Sequence, residues 1–142
     1  MTVKQALKQK NKLVADIKAC HSIVENHNSI EVGNTRRYSV KAKLDEAADL
    51  TKKLVDLKTK IHTANQPVYS KIFYMAELKG LVKQLKKISV DEGKVTERYG
   101  SIQSIKEVEI NIADRDKMVK DLETIIEKLQ DELDVHNATT EI

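Results

Sequence analysis

The sequence predicts a mainly α-helical protein, an antiparallel four-helix arrangement with one or two short β segments that assembles into a homo-oligomer. Three observations lead to this prediction. The 142 residues include one Pro and four Gly, so few residues interrupt helices. Charged residues make up 33% and hydrophobic residues 40% of the chain, a mixture typical of long amphipathic helices. Apolar residues recur every three or four positions in four separate stretches, which is the period of one helix face.

The first two helices are predicted at 3–27 and 39–63. Thr2 and Gln5 form the pattern of a capping box, in which each side chain binds the backbone amide of the other residue. The second helix is expected to stop before the Asn-Gln-Pro sequence at 65–67, because the residue before a proline disfavours the helical conformation. The short connection that follows favours an antiparallel neighbour.

The third and fourth helices are predicted at 70–88 and 112–136. The apolar stripe of the fourth helix has steps of three and four residues, and consists of Val119, Leu122, Ile126, Leu129 and Leu133. Extending the stripe in either direction reaches a polar residue, Arg115 at one end and His136 at the other. A helix that served packing alone would keep both ends apolar, so these ends indicate an additional role.

Two stretches do not have the helical period, and both predict short β-ribbons. Segment 30–38 alternates apolar and polar residues before the turn pair Gly33-Asn34, and segment 98–111 alternates in the same way before the last helix. An isolated two-stranded ribbon is marginally stable in water. We therefore expect these segments to pair with each other or across subunits, within one domain that spans residues 1–142.

Charge is distributed unevenly along the chain. Segment 107–142 holds four Lys or Arg and 11 Asp or Glu, whereas the preceding residues are strongly basic. Such asymmetry fits self-association or an anion-binding surface. The chain has one cysteine and no apolar run long enough to span a membrane, so we predict a cytoplasmic protein, in the host cytoplasm if a phage encodes it.

The sequence contains no pattern typical of an active site. No Gly-rich phosphate loop, nucleophile elbow or His-x-x-x-His pair is present, and the four histidines do not have the spacing of metal ligands. We therefore predict no enzymatic activity, no metal and no cofactor.

Arginine and tyrosine provide the strongest indication of a ligand. Three of the four arginines are next to a tyrosine or one residue away from it, in the two non-helical segments. Arginine binds phosphate with two hydrogen bonds, and tyrosine offers a ring on which a base stacks. The predicted ligand-binding residues are Arg36, Arg37, Tyr38, Arg98, Tyr99 and Arg115. The alternative is that these side chains cover a subunit interface or pair with the acidic last helix.

Several segments resemble the family of small helical proteins described as septicolysin-like. The similar segments are Val-Lys-Gln-Ala-Leu at 3–7, Ile-His-Thr-Ala-Asn at 61–65, Arg-Tyr-Gly-Ser at 98–101 followed by the strand pattern at 105–112, and Asn-Ala-Thr-Thr-Glu-Ile at 137–142. Ala138 stands where the family pattern has a tryptophan, and Thr35-Arg36-Arg37 replaces an acidic segment. The resemblance implies an α-helical protomer in a homo-oligomer, and it provides no catalytic residues.

Two functions are compatible with these features. In the first, the protein is a non-enzymatic homo-oligomer that sequesters a small anionic, nucleotide-derived ligand at subunit interfaces, as phage counter-defence sponges do. In the second, it is a structural or protein-interaction assembly without a small ligand. The predicted partners are further copies of the chain, with a hexamer as one candidate stoichiometry, and the small ligand. A membrane is not expected, and long nucleic acid is disfavoured because the net charge is only +3.

Overall fold

The protein is mainly α-helical. In the structure, a computed structural model, residues 1–96 and 103–142 are described. They contain the helices α1 (Val3–His27), α2 (Val40–Asn65), α3 (Tyr69–Leu85) and α4 (Ile112–Thr139), a single 3₁₀ turn (Gln66–Val68), and the strands β1 (Gly93–Thr96) and β2 (Gln103–Lys106). None of these helices is long and apolar enough to cross a membrane.

The chain divides into two compact units, which we describe separately. Unit 1 consists of Met1–Pro67 together with Val135–Ile142, and unit 2 consists of Val68–Asp134. The predictions of one domain, of an antiparallel four-helix arrangement and of a homo-oligomer are not tested by this division and stay predictions.

The core of unit 1 lies between α1 and α2. Ala6 and Leu13 of α1 pack against Leu57 and Ile61 of α2, and all four are buried. Because the early residues of α1 meet the late residues of α2, the two helices are antiparallel. Half-buried aliphatic side chains complete the cluster, and they are Leu7, Leu50, Leu54 and Ile142. The predicted capping box is present at the start of α1.

The last residues of unit 1 run beside the start of α1. The Val3 amide donates to the Thr140 carbonyl over 2.9 Å, and Thr2 forms an isolated antiparallel bridge with Glu141. Ile142 thereby reaches the core cluster between α1 and α2. The final turn of α4 and the residues after it therefore belong structurally to unit 1.

The core of unit 2 lies between α3 and α4. Val82 and Leu85 of α3 pack against Val119 of α4, and Leu122 and Ile126 of α4 extend this cluster. The predicted apolar stripe of α4 thus forms the contact with α3 in this unit, as its spacing indicates.

The β structure differs from the prediction at 30–38. The strands β1 and β2 pair with each other in antiparallel register, Gly93 with Lys106 and Thr96 with Gln103. Segment 30–38 forms turns and bends instead of a strand. The Asn34 amide donates to the Glu31 carbonyl over 3.2 Å, and Gly33 has a φ of 94°, a conformation that glycine adopts without strain. The strand in the described part of segment 98–111 thus pairs with β1 and not with segment 30–38, whereas residues 98–102 lie outside the described residues. Pairing of these segments across subunits stays a prediction.

Three helix ends also differ from the prediction. Helix α3 ends at Leu85, not at 88, because two i→i+3 hydrogen bonds tighten the turn that follows. Helix α4 continues to Thr139, since the Thr140 amide still donates to the His136 carbonyl. Helix α2 runs from Val40 to Asn65, with Ser39 as its N-cap.

Candidate functional site

A basic pocket lies where α1 ends and α2 begins. It has a volume of about 710 Å³ and is lined by Asn28, Arg36, Arg37, Tyr38, Ser39, Val40, Lys41 and Leu44. Three of these residues carry positive charge, and no Asp or Glu is among the described residues that line the pocket. The volume lies in the range of small-molecule sites. We call this the loop pocket.

Arg36 holds the loop against the end of α1. Its Nη1 atom donates to the His27 carbonyl at 2.9 Å, and its Nη2 atom donates to the Asn28 carbonyl at 3.0 Å. The last carbonyls of a helix lack partners within the helix, and a cation is favoured beside them. Arg36 therefore satisfies carbonyls at the end of α1 and fixes the loop residues that follow it.

Arg37 and Tyr38 form the polar and aromatic wall of the loop pocket. The Arg37 guanidinium carbon lies 5.6 Å from the centroid of the Tyr38 ring, a cation–π distance. The His27 ring meets Tyr38 edge-on, with the ring centroids 4.9 Å apart and an interplanar angle of 66°. Tyr38 is half-buried, while Arg37 is exposed. The ring is thus held on one side by α1, with the guanidinium next to it.

The first turn of α2 contributes Lys41, which the sequence analysis did not include in the site. The Ser39 hydroxyl caps this helix by accepting from the Ala42 amide at 3.2 Å. Lys43 is paired with Glu46 at 2.9 Å, and that hydrogen bond and charge raise the pKa of Lys43. Lys41 makes no ion pair with a described residue, and it lines the loop pocket. A basic residue three positions after Tyr38, in the first turn of a predicted helix, was the available signal.

The other predicted residues are Arg98, Tyr99 and Arg115. Arg98 and Tyr99 lie outside the described residues. Arg115 belongs to unit 2, where its Nε and Nη2 atoms donate to the Asp116 carboxylate at 3.2 and 3.1 Å. The side chain of Arg115 is 20% exposed. Binding of a ligand by these three residues stays a prediction.

His136, at the other end of the apolar stripe of α4, has a structural contact. Its Nε2 atom lies 3.1 Å from the Asn65 Oδ1 atom, and its Nδ1 atom lies 3.1 Å from the Thr140 hydroxyl. The two distances fit a ring that donates from Nε2 to the amide oxygen and accepts at Nδ1 from the hydroxyl. This residue therefore links the ends of α2 and α4 within unit 1.

A second, smaller groove lies beside the last residues of unit 1. It has a volume of about 310 Å³, and its lining residues are Thr59, Lys60, Thr63, Ala64, Glu141 and Ile142. One lysine and one glutamate give it no excess of charge, unlike the loop pocket. Across the part of the chain that the structure describes, no group of three His, Cys, Asp or Glu residues is placed to hold a metal ion.

The geometry of the loop pocket defines a class of site, a small basic pocket with one aromatic wall. Comparisons with known proteins add no identity to this class. No family model matches the chain, and no curated protein and no solved structure matches it either.

Proposed function

We propose that the protein is a non-enzymatic, homo-oligomeric binding protein that sequesters a small anionic, nucleotide-derived ligand in the loop pocket. The observation that carries this proposal is the combination of Arg37, Tyr38 and Lys41 around one cavity of about 710 Å³. A phosphate group is held by Arg37 and Lys41, and a base lies against the Tyr38 ring. The apolar side chains of Val40 and Leu44 supply the remaining contact area.

Arg36 has a positioning role in this proposal. Two of its nitrogens are engaged by carbonyls of His27 and Asn28, so they are not free for a phosphate. The side chain instead keeps Arg37 and Tyr38 at the mouth of the pocket. The described residues that line the pocket belong to unit 1. That the ligand lies at a subunit interface of the oligomer stays part of the proposal.

The cellular role that we propose is sequestration of a nucleotide signal, of the kind that phage counter-defence proteins perform in the host cytoplasm. It rests on an analogy, at the level of fold class, between this small, lysine-rich helical chain without a catalytic pattern in its sequence and phage proteins that sequester nucleotide signals. Binding of an anion is the part of this role that the loop pocket supports most directly, because Arg37 and Lys41 both carry positive charge at its lining.

The alternative is a structural or protein-interaction assembly with no small ligand. Arg36 and Arg115 are two of the predicted ligand residues. Each donates two hydrogen bonds to groups within the protein, and this favours the alternative. Arg37 distinguishes the two functions. Its described contact is the Tyr38 ring, and only the first function gives it a ligand to bind.

Native mass spectrometry tests the proposal. The wild-type protein is mixed with adenosine and guanosine monophosphates, with a cyclic dinucleotide and, separately, with inorganic phosphate. We expect discrete added masses for a nucleotide and a loss of affinity of about tenfold or more in Arg37→Ala and in Lys41→Ala, since each removes a charge-assisted hydrogen bond. Lys53→Ala, an exposed lysine further along α2, is the matched control and keeps full affinity. A wild-type protein that gains no mass with any of these probes overturns the sequestration proposal.

A further inference from the structure

The α3–α4 pair in unit 2 leaves apolar side chains uncovered. Tyr74 and Leu81 of α3 are 52% and 47% exposed, and Met118 and Ile125 of α4 are 41% and 38% exposed. Each pair is separated by seven residues, which is two helical turns, so its two members lie on one line along their helix. Leu122 and Leu129 lie between these lines and the core and are half-buried.

Both lines lie on the same side of the α3–α4 pair. Successive residues of a helix are rotated by about 100° around its axis. Viewed along α3, Tyr74 and Leu81 therefore lie on one side of the direction that points to α4, and Lys86 lies on the other side. On α4, Met118 and Ile125 lie on one side of the corresponding direction and Glu123 on the other. Lys86 and Glu123 form an ion pair at 3.5 Å, so they mark a common polar side. The two apolar lines therefore share the opposite side, which we call the open face.

The open face has the geometry of half a four-helix bundle. Two antiparallel helices with apolar residues at seven-residue spacing on a common side bury that side against a second pair of the same period. Helix α3 has 17 residues, so this whole side of the pair is about 25 Å long and, with two helices side by side, about 20 Å wide. The four apolar residues occupy about 10 Å in its middle, and charged residues lie toward its ends, among them Glu132, which follows Ile125 by seven residues and pairs with Lys71. Two such faces bury a total of about 1,000 Å², which is near the lower limit for a specific interface.

The charges at the edge of the open face favour a second copy as its partner. Lys71 pairs with Glu132 at 2.7 Å and Lys86 pairs with Glu123, and these pairs place Glu77 of α3 at the level of Lys128 of α4. Both residues are exposed and lie beyond the apolar lines at the outer edges. A two-fold axis parallel to the helices sets α3 of one copy beside α4 of the other. Glu77 of each copy then faces Lys128 of its partner.

We propose that the open face, formed by Tyr74, Leu81, Met118 and Ile125, is the surface through which two copies of this chain dimerise. The arrangement is a four-helix bundle made of two α3–α4 pairs, with the Glu77–Lys128 pairs at its edges. This proposal rests on the homo-oligomer that forms part of the proposed function. It identifies the surface through which that oligomer forms. It does not depend on the loop pocket, because all residues of that pocket belong to unit 1.

Charged substitutions in the open face test its role. Leu81→Glu and Ile125→Glu place a carboxylate in the apolar contact, and we expect each to weaken dimerisation at least tenfold in analytical ultracentrifugation. Both residues are substantially exposed within the chain, so the helices are expected to fold normally, and far-ultraviolet circular dichroism checks this. Ala76→Glu on α3 and Thr124→Glu on α4 are the matched controls. These residues are exposed and lie outside the apolar lines.

A charge exchange tests the relative orientation of the two copies. Glu77→Lys and Lys128→Glu each place like charges opposite each other, so each single variant is expected to weaken the dimer several-fold. The double variant restores the attraction and recovers the wild-type dissociation constant, which a general loss of stability would not do.

The results separate this surface from the loop pocket. Weakening by Leu81→Glu and Ile125→Glu, together with recovery in the charge-exchange double variant, supports the proposal. A wild-type protein that is monomeric at 100 µM, or an oligomer that both Glu variants leave unchanged, overturns it. The same samples are measured with the nucleotide probes by native mass spectrometry. A monomeric wild type that still gains ligand mass leaves the loop pocket standing, and an intact dimer that gains none contradicts only the pocket.

Discussion

Replacing Arg36 by alanine is expected to destabilise unit 1, whereas replacing its neighbour Arg37 is not. Arg36 donates two hydrogen bonds to carbonyls at the end of α1, at 2.9 and 3.0 Å. A hydrogen bond from a charged group contributes about 1.5–3 kcal/mol when it is shielded from water. The Arg36 side chain is exposed, so water replaces much of this interaction after the substitution.

The expected loss is therefore well below the sum of two shielded bonds. We take about 0.5 kcal/mol for each bond and add a similar amount for the loss of a cation beside the helix end, which gives about 1–2 kcal/mol. Arg37 contacts the Tyr38 ring at 5.6 Å and is exposed, so Arg37→Ala should cost less than about 0.5 kcal/mol.

Urea denaturation followed by circular dichroism measures both variants against the wild type. Arg37→Ala is also measured for nucleotide affinity, in which it is expected to be the weaker of the two. An Arg36→Ala variant as stable as the wild type would show that the carbonyl contacts do not hold the loop. An Arg37→Ala variant that is the less stable of the two would contradict the assignment of both arginines.

Two further predictions concern the core of unit 1 and a surface ion pair of unit 2. Ile61 is 8% exposed and belongs to the core cluster of unit 1, so Ile61→Ala is expected to cost about 2–4 kcal/mol and to lower the melting temperature, while Val55→Ala on the same helix, where the side chain is 56% exposed, should have little effect. The hydrogen bond and charge of Lys71 lower the pKa of Glu132 below its usual value near 4.5. The stabilisation from this pair is present above that usual value and is lost as the pH falls through the lowered pKa. Glu132→Gln should therefore be less stable than the wild type at pH 7, and the difference should disappear in strongly acidic solution; a difference that persists in acid would contradict the pairing.

The helices of this protein are encoded locally, and for that reason the sequence predicts them well. The capping box of Thr2 and Gln5 involves four consecutive residues and fixes the start of α1 at Val3. The stripe of α4 follows from its period alone. The missed end of α4 has a local cause as well. Asn137 and Thr139 suit a turn, but the Thr140 amide bonds to the His136 carbonyl and continues the helix.

The course of the loop before α2 could not be predicted from its pattern. Alternation at Ile30 and Val32 indicates a strand only if a neighbouring strand covers one side, and here both residues are exposed, at 37% and 105%. The loop is shaped instead by the contact of Arg36 with the end of α1, which spans eight and nine residues. A side chain that reaches back to a helix end leaves no periodic trace in the sequence.

Only part of the candidate site could be predicted from the sequence, because the rest depends on the path of the loop before α2. The cluster of Arg36, Arg37 and Tyr38 is visible as a basic and aromatic tripeptide, and these residues line one pocket. The division of roles between the two arginines depends on the path of the loop. The inclusion of Lys41 depends on where α2 begins, and neither is contained in a one-dimensional pattern.

The attachment of residues 135–142 to unit 1 has a consequence for the order of folding. On the ribosome, α1 and α2 emerge first, and all of unit 2 follows before these eight residues are made. The hydrogen bond from Val3 to the Thr140 carbonyl then closes a loop that contains nearly the whole chain, an entropic cost that is met late. The α1–α2 pair is therefore expected to form early but to gain its full protection from amide exchange only after synthesis reaches Ile142.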